Sequence, residues 1–175
     1  ADATLFKTSK GEKKLFILPD STKLWLNAGS ELRVDAGFGK QNRQVYLIGE
    51  GLFDVTHNKD LPFIVHISKY DIQVLGTLFN VRAYPGDKQS ETSLLRGKVE
   101  IRMNNSPRRI LLVPNQKVVI NNLDNRPGAI RDKDDLAKDT AVVLLPLSLS
   151  ARDNAIIETA WSQNRLEIIN ENFGA

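Results

Sequence analysis

The stretch from Val45 to Tyr84, VYLIGEGLFDVTHNKDLPFIVHISKYDIQVLGTLFNVRAY, limits what this chain can fold into more than any other part of it. Apolar and polar residues alternate through Leu52–Val55, Phe63–Ile67 and Phe79–Ala83. A period of two is the mark of a half-buried β-strand, because successive side chains of a strand point to opposite faces. Gly49, Gly51 and Gly76 stand at the corners, where the backbone must bend without a side chain in the way. The pattern is broken once, by the polar loop Asn58–Pro62.

The rest of the chain repeats this grammar. Lys14–Leu26 reads as a hairpin, with Leu15 and Ile17 before a Pro-Asp-Ser-Thr turn and Leu24 and Leu26 after it. Leu32 and Val34 begin a further strand, and Ala36–Asn42 is a glycine-bearing loop. An apolar residue, a turn and an alternating strand recur at Leu18-Pro19-Asp20, Ile48-Gly49-Glu50, Leu75-Gly76-Thr77, Leu95-Arg96-Gly97 and Val113-Pro114-Asn115. The spacing is not constant. The fold class expected is all-β, either a short-stranded β-solenoid-like roll or a curled β-sandwich. Residues 1–13 show no periodicity and are expected to be a loose start. Ile110–Val113 is apolar without a break, as in a strand buried on both faces or passing under the roll. Asn121–Thr140 is charged and mixed in sign, the composition of a linker, with room for a short helix over Lys133–Lys138. Val142–Leu149 resumes strand character around Pro146, which favours a sheet edge.

Composition excludes several classes. The chain has 175 residues, 24 basic against 21 acidic, and a net charge of +3. Its densest basic clusters are Lys13-Lys14 and Arg108-Arg109, too sparse for a nucleic-acid face. With no cysteine there is no disulfide, thiolate zinc site or cysteine nucleophile. The longest apolar run, Ala141–Leu145, is far below the roughly 20 residues that span a bilayer. There is no starting Met and no secretory signal, so missing targeting information carries little weight.

His57 and His66 flank the Asn58–Pro62 loop, and hairpin pairing would bring them together, with Asp54 and Asp60 as oxygen donors. A third nitrogen or thiolate ligand is lacking, so the expectation is no metal and no cofactor. Glu50 and Asp54 share one strand face about 13 Å apart, too far for paired-carboxylate hydrolysis. Glu50 is expected to accept backbone N–H bonds instead. No G-x-S-x-G elbow and no glycine-rich phosphate loop occurs, since Gly37-Phe38-Gly39 is not followed by a helical pattern. Catalytic residues are therefore none. Phe53, Phe63 and Phe79 sit at inward positions and read as core. Trp25 can be read as packed or as a sugar-stacking platform, and a carbohydrate- or ligand-binding β-domain is the alternative reading of the whole.

Five segments together resemble a known family. They are LPDSTKLWLNAGSELR (18–33), VYLIGEGLFDVTHNKDLPFIVH (45–66), VLGTLFNVRAY (74–84), LLRGKVEI (94–101) and LVPNQKVVI (112–120). In order and spacing they resemble the periplasmic domain of FecR-type anti-sigma factors. Ser21 departs from that pattern, which more often has Gly after Asp20. The tail IETAWSQNRLEIINENF (157–173) resembles the family's passage into a small C-terminal domain related to receptor signalling domains, in the form of Bacteroidetes members. The organisation this implies is a β-domain over residues 1–122, a linker and edge strand over 123–156, and from 157 to 175 the start of a truncated α+β C-terminal domain.

The resemblance implies a non-enzymatic role. Such a protein is a single-pass inner-membrane anti-sigma factor. Its periplasmic part takes a signal from a TonB-dependent receptor and relays it to an extracytoplasmic-function sigma factor, which is held by a cytoplasmic segment. The residues expected to touch the receptor are Trp161, Arg165, Leu166 and Ile168. A homodimer through the C-terminal tail is a further expectation.

Overall fold

The structure, a computed structural model, describes residues 2–104, 106–121, 142–151 and 155–162. Its thirteen strands form two facing sheets joined through one long strand. That strand, β5 (Arg43–Asp54), opens the stretch that dominates the sequence. Its first half lies in sheet I, between the antiparallel β4 (Glu31–Val34) and the parallel β6 (Phe63–His66). Its second half lies in sheet II, between β3 (Lys23–Leu26) and β8 (Leu78–Ala83), both antiparallel. The change of sheet falls at Gly49, which has φ +109. A Cβ there would lie 2.8 Å from the Ser30 Cα, so both the dihedral and the space call for glycine. Sequence patterning reads Ile48-Gly49-Glu50 as a turn; it is a bend within one continuous strand.

Sheet I is completed by β1 (Thr4–Lys7) on β4, and by β7 (Tyr70–Val74), β10 (Val99–Met103) and β11 (Arg109–Leu112) beyond β6. Sheet II is completed by β2 (Lys14–Ile17) on β3, and by β9 (Gln89–Arg96), β12 (Gln116–Asn121) and β13 (Val142–Pro146) beyond β8. The all-β, curled-sandwich expectation holds. The hairpin at Lys14–Leu26 forms as expected, and among the described residues β13 is the last strand of sheet II.

The core is the set of inward positions on both sheets. Odd-numbered residues of β5 face it throughout: Arg43, Val45 and Leu47, then Gly51 and Phe53. Phe53 stacks on Phe79 within sheet II and meets Phe63 of sheet I edge-on, with ring centroids 5.9 Å apart. Tyr70 reaches across from β7 and its hydroxyl lies 3.0 Å from the Thr92 hydroxyl on β9, joining the sheets through a polar contact inside an apolar layer. Burial pushes the Tyr70 phenol well above its ordinary value, against the pull of that hydrogen bond.

Three expectations fail here. The first residues are not loose, since Thr4–Lys7 pairs with β4 and the Phe6 ring packs on Phe16 at 4.9 Å. The segment is too short for periodicity to reveal it. Ile110–Val113 is not buried on both faces: β11 is the edge of sheet I and Leu111 is 72% exposed. Among the described residues no strand pairs beyond it, so an unbroken apolar run is no proof of double burial. Lastly, Asn58–Pro62 is not a hairpin loop. The chain leaves sheet II after Asp54, crosses to sheet I and pairs with the first half of the strand it just left, which makes β5 and β6 parallel. The helix expected over Lys133–Lys138 lies outside the described residues.

A docking site for the C-terminal segment

Two buried charges on β5 organise the polar parts of the molecule. Arg43 is 1% exposed and all five of its N–H groups have partners. Its Nε donates to the Leu61 carbonyl at 2.6 Å. One terminal nitrogen donates to Asp20 and the Thr56 carbonyl, the other to the carbonyls of Asn58 and Leu75. Asp20 in turn accepts from the backbone N–H and hydroxyl of Thr22. One guanidinium thus gathers the LPDST turn, the crossing loop and the β7–β8 turn at one end of the sandwich. Within that turn Ser21 has φ +70, the left-handed region that glycine enters without steric cost. Sequence reasoning passed over Arg43. Its signal was a charged residue in phase with the inward Val45 and Leu47.

Glu50 is the second. It is 4% exposed and lies on the outer face of sheet II. Its carboxylate accepts from Asn27 Nδ2 and Asn80 Nδ2, both at 2.9 Å, and pairs with Arg82 at 3.4 Å. The donors are side chains, not the backbone N–H groups expected, because Asn27 and Asn80 flank the strand where Gly49 turns it outward. Asp54, on the same face, pairs instead with the exposed Arg96, so the two carboxylates do not converge.

Asn80 has two sides. Phe79 and Val81 point inward, so it points outward, and its Oδ1 accepts from Trp161 Nε1 at 3.2 Å. Trp161 belongs to a short helical segment that starts as the 3₁₀ turn Ile157–Thr159. Lys13 Nζ donates to the Trp161 carbonyl at 3.1 Å. On the other side Lys117 Nζ donates to Glu158 at 2.9 Å, and both side chains are largely buried. Burial alone would raise the Glu158 carboxyl, but the Lys117 ammonium and the Ser148 N–H hold it below its ordinary 4.5. The segment Ile156–Ser162 is thereby fastened over sheet II by the approach to β2, by β8 and by β12. Of the predicted contact residues, Trp161 is placed here; Arg165, Leu166 and Ile168 lie outside the described residues. Asn80, Lys117 and Glu158 were missed by sequence reasoning, since each looks like an ordinary polar strand or turn residue until the segment lies on them.

The remaining candidates resolve into structure. His66 joins a row across sheet I in which Arg33 covers the Tyr46 ring at 4.0 Å and Tyr46 stacks on His66 at 4.6 Å. Its ring nitrogens lie 2.7 Å from Asp71 and 2.9 Å from Gln44. His57 sits beyond the end of β5, against Gly76 in the β7–β8 turn, and the parallel pairing of β6 keeps the two histidines apart. Among the described residues no group of three metal-ligating side chains forms. Trp25 is 7% exposed, so its face is closed to a sugar, and its Nε1 has no hydrogen-bond partner.

A two-sheet sandwich whose outer face clamps the later segment Ile156–Ser162 is a β-domain built on held contacts. The chain belongs to the FecR protein family, whose profile matches residues 4–100. The fold is also that of a protein from Parabacteroides distasonis assigned as an anti-sigma factor, solved in two crystal structures at 2.50 and 1.65 Å resolution. Each is 32% identical to this chain with a TM-score of 0.69, and each match covers 82% of this chain. The chain spans 60% and 59% of the length of those two. Among curated proteins no match is found. The family is one of signalling regulators, not of enzymes. No helix among the described residues is long and apolar enough to cross a membrane.

Proposed function

We propose that this chain is the periplasmic signalling module of a single-pass inner-membrane anti-sigma factor. It relays the substrate-bound state of a TonB-dependent outer-membrane receptor to an extracytoplasmic-function sigma factor, which is contacted by a cytoplasmic segment outside these 175 residues. The observation that carries the reading is the clamped segment Ile156–Ser162. Fastening by Lys13, Asn80 and Lys117 gives whatever follows Trp161 a fixed point of departure from a rigid sandwich. A relay needs such a joint, because a contact made on one part must alter the other. The receptor contact lies on the side of Trp161, Arg165, Leu166 and Ile168.

The test is binding of a purified receptor signalling domain to the complete periplasmic part of the protein, wild type and with Trp161→Ala or Leu166→Asp/Ile168→Asp. Loss of binding with an unchanged melting temperature is the expected result. Undiminished binding by both variants would move the contact away from the tail.

A further inference from the structure

Asn80, Ser93 and Lys117 stand side by side on β8, β9 and β12, on the outer face of sheet II. Ser93 is 1% exposed although it faces away from the core. Glu158 is tied to Lys117 and Trp161 to Asn80, so the segment Ile156–Ser162 crosses these three strands over the row.

The segment is joined to the sheet through side chains. Among the described residues its backbone pairs only with itself and with the chain just before it. The Ile157 N–H donates to the Ser148 carbonyl at 2.9 Å, the Thr159 N–H donates to the Ile156 carbonyl, and Ile156 bridges Leu149. The Glu158 carboxylate also accepts from the Ser148 N–H. Before this unit, the Leu147 N–H donates to the Asn115 carbonyl at the end of sheet II. Sheet II and its approach hold the segment itself by three polar groups: Lys13 Nζ, Asn80 Oδ1 and Lys117 Nζ.

The packing between segment and sheet is of a kind that opens at small cost. Thr159 and Ser162 are three positions apart, on one face of a helical turn, and are the most buried residues of the segment. Both are small and polar. Ile157 points away from the sheet and is 53% exposed, so its apolar area adds little to the seal. The Lys117–Glu158 pair is largely buried when closed, and both charges regain water when it opens, which offsets much of the lost attraction. A unit with its own backbone bonds, little apolar seal and a rehydratable ion pair belongs to the parts of a protein that open without global unfolding.

We propose that Ile156–Ser162 is a latch: it lifts from sheet II as one unit about Leu147, parting from Lys13, Asn80 and Lys117, while the sandwich stays folded. The use of the latch rests on the relay reading, in which its closed and open positions are the two states that a contact beyond Trp161 selects. The opening itself needs no receptor.

The test is thiol labelling of the full 175-residue chain, which has no cysteine of its own. Thr159→Cys places a thiol under the latch, and Val81→Cys places one in the core, where it reports global unfolding. With an excess of a small maleimide, Thr159→Cys is expected to react about a hundredfold faster than Val81→Cys, and about tenfold or more slower than a free thiol. Adding Lys117→Met should speed the Thr159→Cys reaction about tenfold and leave that of Val81→Cys unchanged. Ser162→Cys, the second buried position, should follow Thr159→Cys in both respects. Equal rates at Thr159→Cys and Val81→Cys overturn the proposal, because the segment then opens only with the whole domain. Labelling at the free-thiol rate, indifference to Lys117→Met, or disagreement between the two latch positions overturns it as well. Receptor binding plays no part in the measurement, so the latch and the relay reading fail separately.

Discussion

Arg43 and Glu50 lie on one strand and are both buried, yet they hold the molecule in different ways. Arg43 points inward at one end of the sandwich and is enclosed by backbone carbonyls and one aspartate. Every partner belongs to a turn or crossing loop of the β-domain. Glu50 points outward and shares its carboxylate between an asparagine that anchors it, a partly exposed arginine, and an asparagine whose other end binds Trp161. A charge satisfied by the main chain of its own domain fixes that domain. A charge satisfied through a side chain that also reaches another segment ties the domain to that segment. The first contributes to global stability; the second adds a contact that can open locally.

The sharpest way to break the comparison is at Arg43. Arg43→Met removes the charged donor shared by Asp20 and four carbonyls inside the protein, and a loss of about 3–5 kcal/mol is expected from urea denaturation. Arg43→Lys should recover little of it, because an ammonium lacks the planar fork that reaches several acceptors at once. A loss below about 1 kcal/mol for either would mean that the turns hold each other without it.

Next in size is Glu50→Gln. The carboxamide would present an N–H₂ to donors that now face an acceptor, costing about 1–3 kcal/mol. Unlike Arg43→Met, it should also loosen Trp161, seen as faster proteolysis around Ile156–Ser162. If stability falls but the segment stays protected, Glu50 belongs with Arg43 as pure scaffold.

A smaller effect is expected from acid on the clamp. Glu158 is held below its ordinary value, so its contribution is complete at pH values above that value and is lost as pH falls through the lowered one. In a Trp25→Phe background Trp161 is the sole tryptophan, and its emission should shift to the red as pH drops from about 6 to about 3. Glu158→Gln should abolish that transition and leave the urea midpoint at neutral pH almost unchanged. A transition that survives the substitution would assign the sensitivity to another carboxyl.

The smallest change is a gain. Ser21 holds a positive φ in the turn whose aspartate meets Arg43. Ser21→Gly removes the strain of a side chain in that region and should stabilise by about 0.5–1 kcal/mol, less the extra freedom glycine gives the unfolded chain. A destabilised variant would show that the Ser21 side chain contributes more than its conformation costs.

Much of this fold was legible in the sequence. Alternation located most strands, Pro146 marked an edge, and the turn residues at Leu18–Ser21 and Val113–Asn115 fell where the chain reverses. What could not be read depended on partners distant along the chain. The parallel pairing of β5 with β6 requires knowing that one strand serves two sheets, and local periodicity looks the same whichever sheet a residue joins. Arg43 and Asn80 were missed for the same reason. A buried arginine is tolerable only when carbonyls from two loops and a carboxylate from a third turn arrive together, and Asn80 becomes a bridge only when Trp161 is laid on it. Trp161 was singled out through the resemblance of the tail at 157–173 to the family's passage into a C-terminal domain.

The bend at Gly49 also bears on how the chain assembles. β5 cannot be completed by either sheet alone: its partners come from before it, at Lys23–Val34, and from after it, at Phe63–Ala83. Neither sheet can then serve as an independent folding unit, and the domain should unfold in one step, seen alike by tyrosine, tryptophan and far-ultraviolet probes. Loops must close around β5 on both sides before its pairing offsets their entropy, so refolding should be slow for a domain of this size. A chain cut within β5 would not yield two half-domains; it would yield two strands' worth of edges with nothing to close them.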